Sequence, residues 1–210
     1  MRGDPLAAKP GAEPWDRPAW PKRGNCSVNV LYESIGRALN FWEFLEVTLA
    51  HLYAGLCEQS LFDNAANQAY GRSLNFSTRL AKMRAAGERY FQKRPHQSLE
   101  GEFSWALRYA EGYSHRRNDI AHGLVRLIDM VFDPRAGLLS GEPSRWCLVP
   151  PDFREDKFIA PNMPAYVLTS REINQLRDAF IKIQGRTWAL ALAVELPQHA
   201  LRRRRAVPHP

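Results

Sequence analysis

Leu31, Ile35, Ala38, Trp42, Leu45, Leu49, Leu52 and Leu56 follow one another at steps of 4-3-4-3-4-3-4. On a helix turning about 100° per residue this spacing draws one apolar stripe along a single face, and such a face is stable only when other elements cover it. Three more segments supply partners. A second helix is predicted from about Asn64 to Lys93 through Tyr70, Phe76, Leu80, Met83 and Tyr90, closed by Pro95. A third runs from about Leu99 through Phe103, Leu107, Ala110, Tyr113 and Ile120 to Gly123, a residue favoured just past a helix end. Thr169-Ser170-Arg171-Glu172 matches a capping box for a fourth, which carries Ile173, Leu176, Phe180, Ile183, Leu190 and Val194, with Thr187 filling the open step and Pro197 ending it. Four helices with one stripe each predict an all-α fold, a bundle of four main helices.

Between the third and fourth helices the pattern changes. Residues 124–131 are apolar and β-branched, Asp133-Pro134-Arg135-Ala136-Gly137 reads as a turn, and Trp146-Cys147-Leu148-Val149 reads as a returning strand. A short extended piece is expected at Tyr166–Leu168 after a Pro-rich loop. A small β-hairpin insertion over about 124–168 follows. Five prolines between Pro5 and Pro21 mark residues 1–26 as a flexible arm, residues 27–197 form the helical domain, and residues 198–210 a basic tail.

The net charge of +7 is unevenly spread: residues 1–24 hold +2, residues 197–210 hold +4, and residues 25–196 only +1. Bulk basicity is therefore a property of the ends and a poor argument for nucleic-acid binding. Four consecutive Arg, 202 to 205, either raise RNA or DNA affinity without specificity or serve only solubility. Within the body, Arg72, Arg79, Lys82, Arg84, Arg89, Lys93 and Arg94 oppose only Glu88, whereas residues 29–61 place Arg37 against Glu33, Glu43, Glu46 and Glu58. Either the two helices are neighbours attracted by opposite charge, or Arg79, Lys82 and their companions track an RNA backbone. Trp15 and Trp20 either stack on bases or dock on their own fold.

The longest apolar run, Trp188–Val194, falls far short of the ~18 residues that span a bilayer, so no membrane partner is expected. Cys26, Cys57 and Cys147 are odd in number, widely spaced and without a Cys-x-x-Cys pair, which fits reduced thiols in a cytoplasm. No phosphate loop, nucleophile elbow or dinucleotide fingerprint occurs.

The chemistry concentrates in Ser114-His115-Arg116-Arg117-Asn118-Asp119-Ile120-Ala121-His122-Gly123. His115, Asn118 and His122 share a helix face, while Arg117 lies about 140° from His122, near the apolar stripe. Two readings stay open. In one, Arg117 is a buried cation tied to a carboxylate such as Glu43 or Glu46, and His122 caps helix carbonyls. In the other, Arg117 and His122 bracket a phosphate, the guanidinium by forked hydrogen bonds and the imidazole by proton transfer, with Arg116 and His115 adding RNA contacts. His115, Asp119 and His122 on one segment with two Arg among them make a poor metal site, so neither metal nor cofactor is expected.

Arg117-Asn118-Asp119-Ile120-Ala121-His122 resembles the R-x4–6-H motif, with a polar residue directly after the Arg, of the HEPN superfamily. These are α-helical bundles, many of them metal-independent ribonucleases of toxin–antitoxin, phage-defence and RNA-processing systems. The resemblance covers residues 29–196 and implies phosphate binding by Arg117, positioning by Asn118 and proton transfer by His122. It further implies an RNA endonuclease, plausible as a toxin or defence effector, that cleaves by attack of the ribose 2′-OH. RNA, a homodimer partner whose motif faces the first across a cleft, and an antitoxin protein are the implied partners. The rival readings are a catalytically silent HEPN-like module that binds RNA or a nucleotide, and a structural interaction protein in which Arg117 is a salt-bridge residue.

Overall fold

The computed structural model describes residues 12–21, 23–128, 131–133, 137–139, 145–160 and 163–205. The first eleven residues of the predicted arm, the turn at 134–136 and the last five residues of the basic tail lie outside them. The protein is mostly helical, with five α-helices among the described residues: α1 Val28–Leu56, α2 Asn64–Gly71, α3 Phe76–Lys93, α4 Gln97–Ala121 and α5 Ser170–Arg205. Between α4 and α5 lie β1 Leu124–Ile128, β2 Val131–Asp133, β3 Gly137–Leu139, β4 Arg145–Val149, a 3-10 turn at Glu155–Lys157, β5 Phe158–Ala160 and β6 Met163–Pro164. No helix among the described residues is long and apolar enough to cross a membrane.

The stripe on α1 is buried as its spacing demands, with Leu31, Ala38, Trp42, Leu45, Leu49, Leu52 and Leu56 all withdrawn from solvent. At α5, Ile173, Phe180, Ile183, Leu190 and Val194 are likewise buried, and the Thr187 hydroxyl that interrupts them donates to the Ile183 carbonyl at 2.8 Å, so the stripe holds no unmet polar group. The predicted capping box forms: Thr169 N–H donates to Glu172 Oε2 at 2.9 Å, and Arg171 N–H donates to Thr169 Oγ1 at 3.2 Å.

The predicted second helix is instead two. Gly71, Ser73 and Asn75 favour turns and caps over helix interior, and Asn75 Oδ1 accepts from Thr78 N–H at 2.8 Å to open α3 afresh. Asp63 caps α2 in the same way. A second difference lies at Pro197, where the backbone of α5 continues to Arg205. Proline removes one i→i−4 bond, and the helix-forming residues on either side carry the helix past the gap.

The chain groups into two compact units, one drawn from Met1–Trp42 and His115–Phe180, the other from Glu43–Ser114 and Ile181–Pro210. In the first, the Trp42 and Phe180 rings meet edge to face at 5.2 Å. β1 pairs antiparallel with β4 from Leu124↔Val149 to Ile128↔Arg145, which is the predicted hairpin, and the extended piece at Leu168 bridges Leu148. Residues 12–21 and 23–26 are tied to this unit rather than free of it: Asn25 exchanges backbone hydrogen bonds with Trp146 at 2.8 and 2.9 Å, and its side chain bonds Ser170 in both directions.

In the second unit, oppositely charged helices are neighbours. Arg79 pairs with Glu46 at 2.7 Å, and Arg94 and Lys93 reach Glu58 at 3.0 and 3.7 Å. Glu58 holds a left-handed φ of 61°, closing α1 with Gln59 N–H on the Ala54 carbonyl and Glu58 N–H on that of Gly55.

Candidate functional site

The last two turns of α4 form one wall of a cavity of about 210 Å³ in the first unit. His115, Asn118 and His122 all line it and are all exposed, the shared face that their spacing predicts. The helix ends against β4: His122 N–H makes the closing bond to the Asn118 carbonyl, and a Cβ on Gly123 would lie 2.7 Å from Leu148 Cγ and 2.9 Å from the Asp119 carbonyl. Only glycine fits so close an approach, which is why the turn that presents His122 carries one.

The facing wall is Pro151, Arg154, Lys157 and Tyr166, and Asp119 completes the lining. Asp119 is buried at 4% exposure, and three cations converge on its carboxylate. Arg17 Nε and Nη2 donate to Oδ2 and Oδ1 at 3.2 and 3.3 Å, Arg116 Nη1 lies 3.2 Å from Oδ2, and Lys157 Nζ lies 3.9 Å from Oδ1. Tyr166 Oη donates to the Asp119 carbonyl at 3.1 Å, and the Arg17 guanidinium lies 5.3 Å from the Tyr166 ring centre. Burial, reinforced by the Asp119 charge, raises the Tyr166 phenol well above its usual range, so it remains a donor.

The cluster carries surplus positive charge. Arg17, Arg116, Arg154 and Lys157 outnumber the acids that act on them, Asp119, Asp16 and Asp156, the last held by Arg154 through bonds of 3.0 and 3.2 Å and by Lys157 at 3.8 Å. Burial lowers the Arg116 pKa against the opposing pull of Asp119, and its Nε is buried with no hydrogen-bond partner among the described residues. Arg116 is not among the residues that line the cavity, so it acts on an anion there through its positive field and not by contact. No group of three His, Cys, Asp or Glu side chains among the described residues is placed to hold a metal ion; the Asp119 oxygens face cations, away from the role of ligand beside His115 and His122.

Arg117 is half-buried, donates to Asn118 Oδ1 at 3.1 Å, and is not among the residues that line the cavity. Its divergence from His122 on the helix is thus visible in the structure. Of the carboxylates considered for it, Glu46 carries Arg79. Arg79 and Lys82 lie in the other unit, where Lys82 Nζ donates to the Ala69 carbonyl at 3.1 Å. Sequence reading did not find Arg17, Arg154, Lys157 or Tyr166; the only local signal was the charged run Arg154-Glu155-Asp156-Lys157 inside a Pro-rich loop.

No protein-family model matches the chain, and no curated protein and no solved structure matches it either.

Proposed function

We propose that the protein is a metal-independent RNA endonuclease built on a HEPN-like helical bundle. The observation that carries this reading is the cavity itself, in which two imidazoles and an amide on one helix face Arg154 and Lys157 across a space for one phosphate. Lys157 and Arg154 hold the phosphodiester. His122 accepts the ribose 2′-hydroxyl proton as the 2′ oxygen attacks phosphorus, the bond from phosphorus to the 5′ oxygen breaks, and His115 returns a proton to that oxygen. The products are a 2′,3′-cyclic phosphate and a 5′-hydroxyl, and the surplus cations stabilise the charge that builds on the phosphorane.

A second reading, a catalytically silent module that binds RNA or a nucleotide, is favoured by one fact: Arg117 does not line the cavity that holds His122. One comparison separates them. Wild type, Arg117→Ala and His122→Ala, each checked for folding, are incubated with total RNA in EDTA. The enzyme reading expects cyclic-phosphate ends from wild type and a loss of about 10²–10⁴-fold in His122→Ala. Binding of RNA by wild type with no new ends would leave the silent module; an Arg117→Ala that unfolds, beside a wild type inert in every assay, would leave a structural protein.

A further inference from the structure

The cavity is small for what it is proposed to hold. At about 210 Å³ it lies below the roughly 300–1,000 Å³ of pockets that enclose a drug-sized ligand, and its lining is mostly polar or charged. It seats a phosphodiester and leaves the attached base outside. Of the aromatic rings in its wall, the imidazoles of His115 and His122 are taken up by proton transfer, and the phenol of Tyr166 is 3% exposed and lies beneath Arg17, so it offers no open face.

An open face stands one residue along the chain from the cavity wall. Arg154 N–H donates to the Pro151 carbonyl at 3.0 Å, closing a tight turn of which both end residues line the cavity. Phe153 lies inside that turn and is 83% exposed, the second most exposed large apolar side chain described. Pro150 and Pro151 stiffen the approach, and the Arg154 pairing with Asp156 fixes the exit. A phenyl ring so exposed, one residue from the wall that holds the phosphate, is open to a nucleobase, whose flat apolar face stacks on aromatic rings with little regard to base identity.

We infer that Phe153 is the stacking platform for the nucleobase adjoining the phosphate held in the cavity. The inference rests on the RNA reading above and adds a positioning residue to it: the cations fix the backbone, and Phe153 fixes the direction in which the strand leaves. Cleavage then tolerates sequence but requires a base beside the scissile phosphate.

The test uses the full chain and two fluorescent oligomers that cannot be cut because every 2′ oxygen is methylated, one carrying bases and one of the same backbone without them. Wild type is expected to bind the base-bearing oligomer about ten-fold or more tightly than the abasic one, the effect of one base–aromatic stack. Phe153→Ala should bind both with the wild-type abasic affinity, and Phe153→Trp should restore the preference. Retention of the preference by Phe153→Ala overturns the inference while leaving the RNA reading intact. Failure of wild type to bind either oligomer, together with absence of cleavage, overturns both.

Discussion

The Arg17 guanidinium meets the Asp119 carboxylate across a separation of 102 residues, through hydrogen bonds of 3.2 and 3.3 Å. Arg116 and Lys157 lean on the same group, so Asp119 organises the floor of the cavity while its charge opposes an incoming anion. Asp119→Asn should therefore act in two directions. The neutral amide takes the shared counter-charge from Arg17 and Arg116, while Lys157 keeps Asp156, and should cost on the order of 3 kcal/mol in urea denaturation, held to that lower range because Arg17 and Lys157 are partly exposed. Added inorganic phosphate should restore more stability to this variant than to wild type, since it supplies the missing charge. Equal phosphate effects in the two proteins would count against the anion seat.

Lys157→Met and Arg154→Gln probe the seat directly. Each removes a cation from the cavity wall; Lys157→Met also takes one partner from Asp119, whereas Arg154→Gln leaves the ion pairs of α4 in place. RNA affinity should fall in both, and the slope of log affinity against log salt should shrink by about 0.7 for each phosphate of a single strand that the variant no longer neutralises. An unchanged slope would place the RNA elsewhere.

Cys147 gives a prediction in pH. Burial, with Glu172 adding to it, pushes its thiol up from the usual 9.0 to about 11. The folded state then holds a proton that the unfolded state releases, so this contribution to stability is intact below about pH 9 and is lost as pH rises towards 11. Buried Tyr70 and Tyr166, both raised, push in the same direction. Iodoacetamide at pH 8 should modify exposed Cys26 and spare Cys147 until the protein is unfolded, as read by intact-mass analysis.

Gly87 on α3 is a packing test. A Cβ there would sit 2.4 Å from two atoms of the Phe103 ring, which is itself buried. Gly87→Ala improves helix propensity but forces a rigid ring aside, so a net loss of roughly 1–2 kcal/mol is expected in thermal or urea unfolding. A more stable variant would show that the packing of α3 on α4 relaxes easily.

Local order was the part of this fold written most plainly in the sequence. The stripes on α1 and α5, the capping box at Thr169 and the β1–β4 hairpin each follow from periodicity or caps within a few residues. The division of the second helix at Asn75 was legible in principle, because an Asn cap is a local signal, but the longer apolar period masked it. The cavity was half legible. His115, Asn118 and His122 share a face by arithmetic on one helix, whereas Arg17, Arg154, Lys157 and Tyr166 arrive from segments that no spacing rule relates. What joins them is the buried charge of Asp119, whose partners only a three-dimensional packing reveals.

That same dispersal sets an order of assembly. The groups around Asp119 are strung from Arg17 to Tyr166, so they are delivered by the ribosome at widely different times. A nascent chain synthesised only as far as His122 owns both imidazoles and the helix that bears them, but neither Arg154 nor Lys157 exists yet to face them. Pairings of such sequence separation form late, after the local helices. The phosphate seat of the proposed nuclease is thus missing while the greater part of its own message is still being read.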